Sequence, residues 1–178
     1  MTVTEGTAFR EYVEFSGANG DITPLALGRE NLVVLRTLSK AWGLAGIRLG
    51  YCVASPPLVS HLLDMKAPYN INAVTLQLAA RALGNPGFLA SAVAAIVGER
   101  SRLAAALAKI PPVIRVHPSD ANFLLVEFGD AGAAYRMLSG RGIIVLRRSE
   151  PRLNRCLRVT VGTPAENDLL VEALEELA

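Results

Sequence analysis

The chain has 178 residues, 51% of them apolar and 19% charged, and 18 Lys and Arg set against 16 Asp and Glu leave a net charge of +2. That length suits one domain with a buried core, and the low charge with a mean hydropathy of +0.33 argues against a disordered chain, a charged tail or a polybasic nucleic-acid surface. The longest nearly unbroken apolar run, Phe88 to Val97, lies between Gly87 and Gly98 and is far too short to span a bilayer. The first residues show neither an export nor a transit pattern, so the expected address is cytoplasmic. Cys52 and Cys156, like His61 and His117, have no ligand spacing, and no metal or disulfide role is expected.

In chain order, Asn31 to Leu35 reads as a strand that runs into a glycine-punctuated loop, Thr37 to Gly50. A second short strand, Gly50 to Ala54, ends at Ser55-Pro56-Pro57, where proline opens a helix carrying Leu58, Leu62, Leu63 and Met65, closed by Pro68. Val74, Leu78, Ala79 and Ala82 give Asn72 to Leu83 a helical period, and Gly84 to Gly87 reads as a turn. A longer helix follows through Leu89, Val93, Ile96, Val97, Arg100, Leu103 and Leu107 and stops before Pro111-Pro112. Beyond it, Val113 to Val116, Asn122 to Phe128, Ile143 to Leu146 and Cys156 to Val161 read as strands, with a helix from Ala131 to Leu138 that ends at Gly140. Thr163-Pro164-Ala165-Glu166 has the pattern of a capping box, opening a helix with Leu169, Leu170, Ala173, Leu174 and Leu177 on one face. Met1 to Ala8 carry no clear strand pattern. The organisation is an N-terminal α/β piece, helices over about 66 to 110, and a C-terminal α+β part whose sheet is covered on one side by helices. The first piece alone is too small to bury both faces of a sheet.

The polar chemistry concentrates in Arg36-Thr37-Leu38-Ser39-Lys40-Ala41-Trp42-Gly43-Leu44-Ala45-Gly46-Ile47-Arg48-Leu49-Gly50. Hydroxyls, an amine and a guanidinium in one loop can surround a small anion. The glycines at 43, 46 and 50 fit neither a dinucleotide fingerprint nor a phosphate-binding P-loop, so a nucleotide site is a poor reading. By residue chemistry alone, Lys40 is a phosphate clamp, a Schiff-base lysine or part of a solvated turn. In Leu157-Arg158-Val159-Thr160-Val161 the period of two buries the apolar residues and turns Arg158 and Thr160 to the other face.

The segment from Thr37 through Tyr51 resembles the cofactor-lysine segment of the class I/II aminotransferases, the fold-type I pyridoxal-phosphate enzymes, and most of all those of the histidinol-phosphate type. Ala67-Pro68-Tyr69-Asn70, Ser119 to Phe123, Gly142 to Val145 and Cys156 to Thr163 are similar to further segments of that family in the same order, so the resemblance covers residues 12 to 178. It implies an α/β fold class, the C-terminal part of a fold-type I transferase, divided as 1–66 (edge of the large domain), 67–110 (connecting helices) and 111–178 (small α+β domain). It implies pyridoxal 5'-phosphate as cofactor, held by Lys40 as a Schiff base, with Lys40 then moving the proton in amino-group transfer. Thr37, Ser39 and Arg48 match the positions that hold the cofactor's phosphate, and Tyr12 the tyrosine at its phenolic oxygen. Arg158 matches the arginine that grips the substrate carboxylate, with Arg147 a weaker second anion contact beside Arg148. The implied substrates are an amino acid or amino-alcohol phosphate and a 2-oxo acid, in histidine biosynthesis. The implied assembly is a homodimer or a pairing with the missing N-terminal half, without nucleic acid or membrane.

One position departs from the family. The aspartate expected three residues before the tyrosine, partner of the cofactor's pyridine nitrogen, is replaced: Phe9-Arg10-Glu11 precede Tyr12. With much of the family's pocket upstream of anything matched here, two readings follow. One is a shortened aminotransferase; the other is a catalytically inactive remnant or interaction module that keeps the fold.

Overall fold

The computed structural model describes residues 11–17 and 20–177, together with the main chain of 6–9. The chain divides into two compact units, Met1–Val93 and Ala94–Ala178.

The first unit is built on a three-stranded sheet. Strand β1 (Gly6–Phe9) runs parallel to β2 (Leu32–Thr37), and β2 is antiparallel to β3 (Gly50–Val53). The opening of the chain therefore does contribute a strand, over Gly6–Phe9, which its sequence pattern did not announce; residues 1–5 lie outside the described residues. Four strand residues without a clean alternation gave no signal, and the pairing with β2 supplies what local pattern lacks. Also unannounced are a 3-10 turn at Val13–Phe15 and a five-residue helix, α1 (Thr23–Leu27). Leu32 and Val34 alternate inward on β2 and close over Ala26 of α1, with Ile22 and Val53 alongside. Helices α2 (Pro56–Met65) and α3 (Ala73–Leu83) follow. Asn72 caps α3 by accepting a hydrogen bond from the Thr75 N–H (2.8 Å), in the manner of a side-chain N-cap. The Thr75 hydroxyl donates to the Ile47 carbonyl (3.1 Å), tying α3 to the lysine loop. On α3 the buried residues are Thr75 and Ala79, while Val74 and Leu78 are exposed, so only part of the apolar spacing marks a buried face.

Helix α4 (Pro86–Leu107) begins earlier than the turn reading of Gly84 to Gly87 implied, because Pro86 occupies the first helical position, where its missing N–H costs nothing. The second unit is an antiparallel sheet in the order β4 (Val113–Val116), β5 (Phe123–Phe128), β7 (Cys156–Thr160), β6 (Leu146–Arg147). Its inner face carries Leu124, Val126 and Phe128 of β5 with Leu157 and Val159 of β7. These pack on Leu103 and Leu107 of α4, Ala134 and Leu138 of α5 (Ala131–Gly140), and Leu170, Ala173 and Leu174 of α6 (Pro164–Glu175). Helices thus cover one side of the sheet.

Two expectations are corrected here. Of Ile143 to Leu146, only Leu146 is in a strand: Ile143 to Val145 approach the sheet as irregular chain, with Val145 buried and Ile144 exposed. Leu169 does not share the buried face of α6 but is 59% exposed, the inward stripe being Asn167, Leu170, Ala173 and Leu174. The capping box is present. Thr163 Oγ1 accepts from the Glu166 N–H (3.4 Å), and the Glu166 carboxylate accepts from the Thr163 N–H (2.8 Å). Asn167 shares that end of the helix, because its side chain both accepts from and donates to Gly162, and this puts a polar residue on a stripe that apolar spacing would assign to Leu169.

Candidate active site

Strand β2 delivers Thr37 to the start of the loop, and Lys40 follows three residues later. Leu38 and Ala41 are buried and anchor the loop from below, leaving Ser39 and Lys40 partly open. The Leu38 N–H donates to the Leu49 carbonyl (3.2 Å), extending the β2–β3 ladder by one step, and the Leu44 N–H returns to the Leu38 carbonyl (3.0 Å). Gly43, at φ +68°, donates to the Lys40 carbonyl (2.9 Å) in a left-handed conformation that glycine adopts without cost. Gly50 is required for a different reason: a Cβ there would lie 2.8 Å from the Arg36 carbonyl oxygen across the ladder.

The Lys40 side chain, one-third exposed, is 4.0 Å from a Glu11 carboxylate oxygen, and its amine lies 5.4 Å from the centre of the Tyr12 ring. The Ser39 N–H donates to Thr37 Oγ1 (3.1 Å). The structure therefore gathers Tyr12, Thr37, Ser39 and Lys40 in one place. A cleft of about 400 Å³ with Glu11, Arg36, Thr37, Gly50 and Tyr51 in its wall opens beside them. Arg48 belongs to the same loop but is turned back on it: at φ 56° it ends a 3-10 turn, and its guanidinium donates to the Ala45 carbonyl (2.9 Å).

Several residues of this site carry no motif signal. Arg36 Nη2 pairs with Glu14 (2.8 Å), and Nη1 reaches Asp21 (3.3 Å) and the Thr23 hydroxyl (3.1 Å). Burial opposes the charge on Arg36, but the Glu14 hydrogen bond and the surrounding acidic groups outweigh it and hold the guanidinium above its ordinary value. Hydrogen bonds from the Thr23 hydroxyl and backbone N–H, with the Arg36 charge behind them, hold Asp21 below the usual carboxylate range. Glu11 beside Lys40 is a second case. Its only hint in the sequence is its place next to Tyr12.

Arg158 and Arg147 belong to the second unit. Arg158 stands opposite Leu125 on one side and Leu146 on the other, while Arg147 stands opposite Leu157. Residues directly opposite in an antiparallel pair share a face, so the two arginines lie on opposite faces of the sheet. Arg158 stacks on Phe123, its guanidinium carbon 4.8 Å from the ring centre, and its Nε is buried without a hydrogen-bond partner. Arg147 reaches toward the start of α5. There Asp130 is held below the usual carboxylate range chiefly by the Ala133 N–H, with Arg136 and Arg147 adding their charges. Arg148 is paired with Glu150.

A cavity of about 460 Å³ beside β7 and α6 has Arg141, Glu166 and Asn167 in its wall. All three are committed elsewhere: Arg141 to Glu176, Glu166 to the helix cap and Asn167 to Gly162 and Glu99. Among the described residues no group of three or more His, Cys, Asp or Glu could hold a metal ion, and no single helix is long and apolar enough to cross a membrane.

Residues 10–174 match the family described as aminotransferase class I and II. The histidinol-phosphate aminotransferase of Parabacteroides distasonis is 44% identical over 167 residues, covering 93% of this chain and 48% of that protein. The solved structure of histidinol-phosphate aminotransferase from Sinorhizobium meliloti in complex with pyridoxal-5'-phosphate superposes with a TM-score of 0.86 at 28% identity, over 98% of this chain and 48% of that one. L-threonine-O-3-phosphate decarboxylase from Porphyromonas gingivalis does so with a TM-score of 0.84 at 27% identity, over 96% and 54%. The chain spans about half the length of the curated relatives it matches. The lysine loop, the Tyr12 ring beside it and the sheet that presents Arg158 thus fall within a match to one family along nearly the whole chain, and the chain belongs to the class I and II aminotransferases.

Proposed function

We propose that this chain carries the lysine-bearing part of a pyridoxal-phosphate aminotransferase of the histidinol-phosphate type, working on an amino acid or amino-alcohol phosphate and a 2-oxo acid in the cytoplasm as a homodimer. The observation that carries the reading is the placement of Lys40: a partly open amine on a loop pinned by Leu38 and Ala41, with the Tyr12 ring 5.4 Å away. In this reading residues 1–66 form the edge of the large domain, 67–110 the connecting helices and 111–178 the small domain.

The donor set fits the cofactor. A reachable amine, two hydroxyls and an arginine on one loop, with a phenol beside it, are the groups that an aldehyde with a phosphate tail needs. When bound, pyridoxal phosphate supplies a carbonyl that condenses with amines and a ring that withdraws electrons. Lys40 Nζ provides the covalent attachment and, once released, carries the proton of the transfer. Glu11 places a carboxylate oxygen 4.0 Å from that amine, as a loose ion pair. Thr37 and Ser39 donate hydroxyl hydrogen bonds to the phosphate. Arg48 joins them by leaving the Ala45 carbonyl, exchanging a neutral acceptor for a charged one. Arg158, fixed against Phe123 and with an unpartnered Nε, binds the substrate carboxylate. Arg147 faces the other side of the sheet, so the reading gives it no part in that contact.

A second reading is an inactive relative that keeps the fold, and Phe9 favours it, because a phenyl group at the position of the family's aspartate cannot pair with a pyridine nitrogen. One experiment separates the two. Adding pyridoxal phosphate to the purified chain, reducing with borohydride and mapping the adduct is expected to place it on Lys40; adding an amino donor then tests turnover. Adduct without turnover selects the inactive relative, and no adduct overturns the cofactor reading.

A further inference from the structure

We propose that Arg36 is a positioning residue for the lysine site: its guanidinium ties the Tyr12–Phe15 turn to the strand that carries Thr37 and Lys40, and so sets the approach of the Tyr12 ring to the Lys40 amine. The role of that amine rests on the reading above; the tie itself does not.

The two segments that must meet are distant in sequence, and β2 pairs with β1 and β3 but not with the 3-10 turn itself. Arg36 supplies a direct polar link. Nη2 meets Glu14, two residues after Tyr12, at 2.8 Å, and both side chains are only 12% exposed. Nη1 meets Asp21 and the Thr23 hydroxyl, which fixes the second prong of the fork. Asp21 is itself held by the Thr23 N–H (2.9 Å). The turn that bears Glu14 is closed by hydrogen bonds from Phe15 N–H to the Tyr12 carbonyl (3.0 Å) and from the Ser16 hydroxyl to the Val13 carbonyl (2.8 Å), and Phe15 is buried. Moving Glu14 therefore moves Tyr12. At the other end Arg36 stands four residues before Lys40 in β2, its main chain held in the β2–β3 ladder opposite Tyr51 and close enough to Gly50 that a Cβ there would lie 2.8 Å from its carbonyl oxygen. A planar fork that contacts acceptors on two segments transmits position in a way that a single-point ammonium does not. A displacement of about 1 Å between reacting groups is enough to cost about a hundredfold in rate.

The test needs no bound cofactor. The chain has three lysines, Lys40, Lys66 and Lys109, so competitive acetylation by trace acetic anhydride reads the environment of Lys40 against two internal references. In Arg36→Met and Glu14→Gln the ratio of Lys40 to reference labelling is expected to change about twofold or more, in the same direction, with the double variant no further from wild type than either single one. Coupled groups of one network behave in this non-additive way. Arg36→Lys is expected to resemble Arg36→Met. An unchanged ratio with a lowered melting temperature would make the pair a structural tie only and overturn the proposal, as would additive effects in the double variant. If Arg36→Met does not fold, Glu14→Gln, which keeps an acceptor, decides alone. Failure of wild-type Lys40 to take pyridoxal phosphate would count against the cofactor reading and leave this ratio unaffected.

Discussion

Arg158 lies with its guanidinium carbon 4.8 Å from the centre of the Phe123 ring, diagonally across the β5–β7 ladder, on the face of the sheet turned away from the helices. The contact restrains a long side chain that would otherwise sweep a wide volume, and it places the charge on an aromatic face instead of a carboxylate. A cation held in this way remains available to an incoming anion.

Phe123→Leu keeps an apolar residue on β5 and removes the ring. A cation–π contact of this kind contributes about 0.5–1 kcal/mol at a partly exposed site. The dissociation constant of an amino-acid substrate for the cofactor-loaded chain, followed by spectral titration, is therefore expected to rise roughly two- to fivefold. Unchanged affinity would show that the ring does not hold Arg158 for binding.

The inner and outer faces of the second unit are to be told apart by truncation. Leu157→Ala removes a fully buried side chain from the centre of the sheet and is expected to cost about 2–5 kcal/mol in urea unfolding. Leu169→Ala, on the exposed side of α6, is expected to fall within about 0.5 kcal/mol of wild type. Comparable losses would return Leu169 to the core.

Acid should destabilise both units. The Thr23 hydrogen bonds depress Asp21 in the first unit; the Arg102 hydrogen bonds depress Glu99, the Thr163 N–H depresses Glu166 and the Arg141 hydrogen bonds depress Glu176 in the second. A carboxyl group with a folded pKa below its unfolded one contributes stability that is complete above the unfolded value and is lost as pH falls through the folded value. The urea midpoint is thus expected to hold steady from pH 7 to about 5 and to decline below about 4.5, and Glu99→Gln is expected to make that decline shallower. A midpoint independent of pH down to 3 would contradict these assignments.

Much of the architecture is legible in the residues. Alternation on Leu157 to Val161 told which side Arg158 takes, and Thr163 to Glu166 marked the start of α6 because a capping box is a local device with a local signature. What was not legible depends on partners remote in sequence. Gly6–Phe9 becomes a strand only by pairing with β2. Val145 is buried without a strand because chain leaving α5 must pass over the core. At the site, the lysine loop stood out by composition and by resemblance. The Arg36 cluster did not, since an ion pair between residues 14 and 36 leaves no periodic trace. Arg147 reads in the sequence as a second anion contact beside Arg148, and only the register with Leu157 puts it on the face opposite Arg158.

In the proposed reading Lys40 is the group that receives pyridoxal phosphate. Incubating the full chain with the cofactor, reducing with borohydride and locating the added mass by peptide mapping tests it directly, with Lys40→Ala alongside. The expected result is a visible absorption band that borohydride bleaches, a single adduct on Lys40, and neither band nor adduct in the variant. An adduct spread over Lys66 and Lys109 as well, or the same spectrum from wild type and variant, would contradict it.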